Sequence, residues 1–119
     1  MAQKILLVED DPCFGSVLKS YLELSDYEVT LCVNGNDGLE AFRKDKFDIC
    51  LLDVMMPEMD GIEAVKQIKA VNPAAKVIMC SAMGQQSMVM DAIKAGANDF
   101  IVKPFQADRV LEAVKKIVG

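Results

Sequence analysis

Short unbroken apolar runs alternate along the chain with longer stretches in which apolar residues recur every three or four positions. Ile5-Leu6-Leu7-Val8 and Ile49-Cys50-Leu51-Leu52 have no polar interruption, as in strands covered on both faces, Val77-Ile78-Met79-Cys80 reads as a fourth strand, and Phe100-Ile101-Val102 as a fifth, short one. Tyr27, Val29 and Leu31 instead alternate with Glu28 and Thr30, which predicts a half-exposed strand at a sheet edge. Between these runs, Phe14, Val17, Leu18, Tyr21 and Leu22 share one helical face, and Leu39, Ala41 and Phe42 begin a short helix. Ile62, Val65 and Ile68, then Met88, Val89, Ala92 and Ile93, then Val110, Leu111, Val114, Ile117 and Val118 mark three more helices. The punctuation agrees. Asp11-Pro12 reads as a helix cap with proline in the first turn. Asn34-Gly35-Asn36-Asp37-Gly38 reads as a turn with a cap near its end. Asn72-Pro73 and Gly96 sit where helices stop.

Five strand–helix units in alternation imply a parallel sheet with helices on both faces. At 119 residues the chain is too short for an eightfold barrel and fits a single domain, 1–119. The remaining common solution is α/β, a doubly wound five-stranded parallel sheet of order 2-1-3-4-5, as in flavodoxin. The half-exposed second strand and the short fifth strand suit its two edges. No stretch is left over for a further domain, so the chain is expected to stand alone or to be one part of a longer protein.

Composition narrows the chemistry. A net charge of −5 argues against direct nucleic-acid binding. No apolar run approaches the ~20 residues that span a bilayer, and the start lacks a signal-peptide pattern, so no membrane insertion and a cytoplasmic location are expected. There is no histidine. Ser-His-Asp and Cys-His catalysis and histidine metal sites are therefore excluded on this chain, and any phosphohistidine must come from a partner. Cys13, Cys32, Cys50 and Cys80 match no zinc or redox spacing and read as small buried hydrophobes.

Ligands of such sheets bind beyond the carboxyl ends of the strands, where the strand order reverses. The first strand delivers Glu9, Asp10 and Asp11 there, the third Asp53, the fourth Ser81 and the fifth Lys103-Pro104. Two carboxylates ~4 Å apart repel by about 4 kcal/mol at an effective dielectric near 20, and Lys103 offsets one charge. An all-oxygen donor set favours Mg²⁺, or Mn²⁺, as the relieving ion. Asp53 is then a candidate nucleophile toward phosphorus, with Lys103 and the Ser81 hydroxyl facing the phosphoryl oxygens. Asp11 fits a capping role better than a ligand role.

Leu7-Val8-Glu9-Asp10-Asp11, Leu52-Asp53-Val54-Met55-Met56-Pro57, Asp60-Gly61, Ser81-Ala82 and Lys103-Pro104-Phe105, in this order and at these distances, resemble the receiver domain of bacterial two-component response regulators. The resemblance implies a CheY-like fold and a signalling domain rather than an enzyme acting on other substrates. It implies Asp53 as the phosphoacceptor and Glu9, Asp10, Asp53 and the Met55 backbone carbonyl around Mg²⁺. Ser81 and Phe100 would be the switch residues and Lys103 the lysine. Met55 and Met83 would tune water access to the acyl phosphate. The implied partners are a histidine kinase or phosphotransfer protein, and an output protein on the face built by the fourth helix, fifth strand and last helix. That output protein would be a flagellar switch protein if the chain acts in chemotaxis. Residues up to Gly61 are closer to receivers of the OmpR type, and Ala74 to Phe105 to chemotaxis receivers of thermophiles, as two joined receivers would be. Two other enzymatic or cofactor-binding classes share parts of the pattern. A dehalogenase-like phosphatase needs a second Asp where Met55 stands. A flavin carrier needs a phosphate-cradling loop where Glu9-Asp10-Asp11 would repel phosphate. A non-phosphorylated interaction module would have no use for Asp53, Ser81 and Lys103 together.

Overall fold

Five strands, β1 (Lys4–Val8), β2 (Glu28–Cys32), β3 (Ile49–Asp53), β4 (Val77–Ser81) and β5 (Asp99–Val102), alternate with five helices, α1 (Pro12–Leu24), α2 (Gly35–Lys44), α3 (Gly61–Val71), α4 (Gln86–Ala95) and α5 (Ala107–Val118). The computed structural model describes residues 3–9, 11–53, 61–81, 86–102 and 107–118. For Pro12, Asp53, Gly61, Ser81, Gln86, Ser87, Met88, Ala107 and Val118 the description covers the backbone alone. The strands form one parallel sheet of order β2-β1-β3-β4-β5, as the alternation predicts. No helix among the described residues is long and apolar enough to cross a membrane.

The two-residue period of the strands splits the core into two layers. Leu6, Val8, Cys50, Leu52, Val77 and Met79 pack on one face with residues of α2, α3 and α4. Ile5, Leu7, Ile49, Leu51, Ile78 and Ile101 pack on the other with α1 and α5. Every residue of β1 from Ile5 to Val8 is at most 2% exposed, so its unbroken apolar run is the consequence of being covered twice. β2 lies at one edge and alternates, with Val29 buried and Glu28 and Thr30 exposed.

Three local readings change. The buried line of α1 runs Phe14, Leu18, Leu22 at intervals of four, and Val17 lies about 100° off it, where it is 65% exposed. Ile93 in α4 stands in the same relation to the fully buried Ala92 and is half exposed. The expected cap of α2 lies at the start of the Asn34–Gly38 run, not near its end. The Asn34 side chain accepts from the Asp37 N–H at 2.8 Å, and Gly35 already begins the helix. Gly35 and Gly38 are buried, and a Cβ at Gly38 would fall 2.5 Å from a methyl of Val8. Gly38, which resembles a turn residue in sequence, serves here as a close-packing position in the first turn of α2. The cysteines also divide: Cys50 and Cys80 are buried, Cys32 is half-buried and Cys13 is exposed. Burial pushes the Cys50 thiol up to about 12.

Helix ends carry their own chemistry. Asp26 takes φ +71° after α1. Its N–H bonds to Glu23 O, and the Tyr27 N–H to Leu22 O, the paired arrangement that satisfies terminal carbonyls. Gly96 ends α4 at φ +117°, as the sequence predicts, with the stem of Lys69 packed against it.

Candidate functional site

The register sets the upper rim of the sheet, where the carboxyl ends of the strands lie. Val8 of β1 pairs with Leu52 of β3, so Glu9 and Asp53 each follow the same rung. Asp53 pairs with Cys80, which puts Ser81 one residue further along β4. Ser81 pairs with Val102, after which the sequence continues with Lys103. Neighbouring strands run about 5 Å apart, so the backbones of Glu9, Asp53 and Ser81 occupy three successive strand positions at one end of the sheet. Asp10, Met55, Met83 and Lys103 lie outside the described residues, as do the side chains of Asp53 and Ser81.

Glu9 is the charged residue that stands out. It is 3% exposed, the one buried carboxylate or cation among the described residues. A buried carboxylate is costly unless hydrogen-bonded or paired. Its backbone N–H continues the sheet by donating to Cys32 O at 3.0 Å, and its Oε1 accepts from the Asp11 N–H at 3.2 Å. Asp11 itself caps α1: its Oδ1 accepts from the N–H groups of Cys13 at 3.0 Å and Phe14 at 3.3 Å. The capping role expected for Asp11 is thus observed. Its bond to Glu9 is backbone chemistry that side-chain types do not announce. Gly15, one turn into α1, lies over Glu9, its added Cβ being in ordinary contact with the Glu9 Cβ at 3.5 Å.

Phe100 is half-buried in β5 and packs against the core layer that contains Leu6, Met79 and Ala92. Its N–H donates to the Asp99 side chain at 2.8 Å, and Asp99 faces Arg109 of α5 at 3.6 Å. β5 is therefore tied to α5 by the Asp99–Arg109 ion pair, while the Phe100 side chain packs in the core layer of the opposite face. Met90, on α4, is 49% exposed. Two surface grooves of about 460 and 450 Å³, between α3 and α4 and at the ends of α2 and α3, are lined by none of the expected site residues.

A magnesium ion takes hard oxygen donors and keeps several waters. The carboxylate of Glu9 fits that preference, and Asp10 and Asp53 are the same chemistry in sequence. The described residues by themselves gather no group of three acidic, cysteine or histidine ligands.

A parallel sheet of this order, with a buried acid leaving β1 and an aspartate closing β3, defines a doubly wound α/β domain with acids at the end of the sheet where the strand order reverses. The family profile of the response regulator receiver domain matches residues 5–115, and the chain belongs to that family. It is 58% identical over 116 residues to the chemotaxis protein CheY of Listeria monocytogenes, covering 95% of this chain and 96% of the relative. It is 52% identical over 120 residues to the chemotaxis protein CheY of Bacillus subtilis, covering both chains completely. A solved CheY-like receiver domain from Methanospirillum hungatei superimposes with a TM-score of 0.94 at 28% identity, over 98% of this chain and 93% of that one. Relatives that run along the whole chain give no support to the expectation of two joined halves. Membership of the receiver family also sets aside the phosphatase and flavin-carrier readings: the chain is a signalling domain of the two-component type.

Proposed function

We propose that this receiver, a single domain over residues 1–119, takes a phosphoryl group from phosphohistidine of a histidine kinase or phosphotransfer protein onto Asp53. The buried carboxylate of Glu9, fixed one strand away from Asp53 in a chain of this family, is the observation that carries the reading. An Asp53 oxygen forms the new O–P bond as the N–P bond of the partner's imidazole breaks, and the electron pair returns to the ring nitrogen. The chain has no histidine of its own, so the donor lies on the partner. Glu9, Asp10, Asp53 and the Met55 carbonyl would hold Mg²⁺, or Mn²⁺, and the bound ion supplies positive charge to the phosphoryl oxygens. Lys103 neutralises a further oxygen, and the Ser81 hydroxyl donates to another.

The gain of charge at Asp53 draws Ser81 and Lys103 inward. Phe100 then turns further into the space that Ser81 leaves, and the α4-β5-α5 face changes shape for an output protein. Its chemotaxis relatives favour a flagellar switch protein as that partner. The same reading places the chain in the cytoplasm, without direct nucleic-acid contact or membrane insertion. Met55 and Met83 are apolar and bulky, so they hinder water at the acyl phosphate and offer it no polar help. Met55→Asn and Met83→Glu should each speed loss of phosphate in a timed dephosphorylation assay; slower loss would refute the steric argument.

Beryllofluoride, a mimic of the acyl phosphate, tests the switch. With Mg²⁺ it should shift the amide resonances of Asp53, Ser81 and Phe100 together, and leave Asp53→Ala unchanged. Shifts absent from the wild type would contradict the reading.

A further inference from the structure

Two of the acids that follow β1, Glu9 and Asp11, are not equivalent in the structure. Glu9 is buried, whereas Asp11 is exposed and its carboxylate is already occupied by the N–H groups of Cys13 and Phe14. Those two bonds hold Asp11 at φ −88° and ψ 105°, the extended conformation of a helix cap. They also anchor the first intrahelical bond, Gly15 N–H to Asp11 O at 2.9 Å. The φ angle of Asp11 aims its own N–H, and that N–H meets Glu9 Oε1 at 3.2 Å. One residue thus binds helix α1 through its side chain and the buried acid through its backbone.

We propose that Asp11 is a positioning residue for the cation site. It contributes no ligand and no needed charge, and its capping of α1 sets the orientation of the Glu9 carboxylate. The inference rests on the Mg²⁺-dependent reading above. Losing the cap frees the backbone at position 11 and loosens the N–H bond to Glu9. Glu9 is too deeply buried to recover that bond from bulk water, so its carboxylate is held less firmly. Partners of metal ligands that act in this way change affinity by roughly 10- to 100-fold.

A capping series separates this role from a ligand or charge role. Asn and Ser cap helices as well as Asp does, and Ala does not. Calorimetric titration with Mg²⁺ should show Asp11→Ala weakened by roughly tenfold. Asp11→Asn and Asp11→Ser should stay within about twofold of wild type, because each keeps the cap. Asn34→Ala removes the equivalent cap of α2, where Asn34 accepts from Asp37 N–H and no bond to Glu9 is involved. It should lower Tm about as much as Asp11→Ala does and leave Mg²⁺ affinity unchanged. Loss in Asp11→Asn equal to that in Asp11→Ala would show that charge matters and overturn the proposal. Full affinity in Asp11→Ala, or equal loss in Asn34→Ala, would overturn it too. A wild type that binds no Mg²⁺ would remove the cation reading itself, a result distinct from any difference within the series.

Discussion

The two rims of the sheet are built on opposite principles. At the lower rim, where the strands begin, polar groups are matched. The Lys4 N–H donates to the Asp48 side chain at 2.7 Å, and the Asp48 N–H to Lys4 O at 2.8 Å. The Lys4 ammonium pairs with Asp45 and sits 5.6 Å from the centre of the Phe47 ring. Asn98 grips the start of β4 twice, its side chain accepting from the Val77 N–H at 2.9 Å and its own N–H donating to Val77 O at 2.7 Å. The Lys69 ammonium donates to Ala75 O nearby. At the upper rim the strands lead into Glu9-Asp10-Asp11 and Asp53, with more acids than the sequence there has bases to match. A matched rim stabilises, and a rim with surplus like charge is where the proposed ion and phosphoryl group would act.

That contrast can be broken at either rim. The largest effect is expected at the top. Glu9→Gln keeps the shape and the acceptor for the Asp11 N–H but removes the buried charge. Mg²⁺ affinity should fall by 10- to 100-fold in a calorimetric titration, roughly the cost of disturbing a metal's supporting groups, while Tm in EDTA stays level or rises. A lowered Tm with intact Mg²⁺ affinity would reverse the assignment of the two rims. Asn98→Ala is the matching test below. It leaves the Val77 N–H without its side-chain acceptor and should cost about 1–2 kcal/mol in urea unfolding, with Mg²⁺ affinity unchanged.

The smallest effect belongs to Lys4. Its hydrogen bond and charge hold the Asp45 carboxyl below its usual value of 3.8. A depressed acid contributes stability that is present above its unfolded value and is lost as pH falls through the folded one. Lys4→Met should therefore flatten the fall of Tm below pH ~4, and high salt should erase the difference because the pair is solvent-exposed. An unchanged acid slope in Lys4→Met would show that this pair plays no part in the matched rim.

Most of the fold was readable because burial on two faces leaves a direct trace in sequence. The runs in β1, β3 and β4 cannot be mistaken for amphipathic helix within four residues, and the alternation in β2 marks an edge. The errors come from places where a residue type has two uses. Val17 has the right spacing for the core but stands one position off the buried line. Gly38 has turn chemistry but serves close packing. Cys13 shares its type with the buried Cys50 and Cys80 yet lies in the exposed first turn of α1. For the site, the places of Glu9 and Asp53 at the carboxyl ends of β1 and β3 were legible because the apolar runs stop there. The Asp11 N–H bond to Glu9, and the Asn98 grip on Val77, were not, since backbone donors are present at every non-proline residue and only geometry selects among them.

The central claim is that Asp53 accepts a phosphoryl group with the help of a divalent ion bound at the upper rim. Intact mass of the wild type after incubation with acetyl phosphate and Mg²⁺ tests it most directly. The account predicts the addition of one phosphoryl group, lost on adding EDTA beforehand and absent from Asp53→Ala. An unmodified wild type, or equal modification of Asp53→Ala, would contradict it.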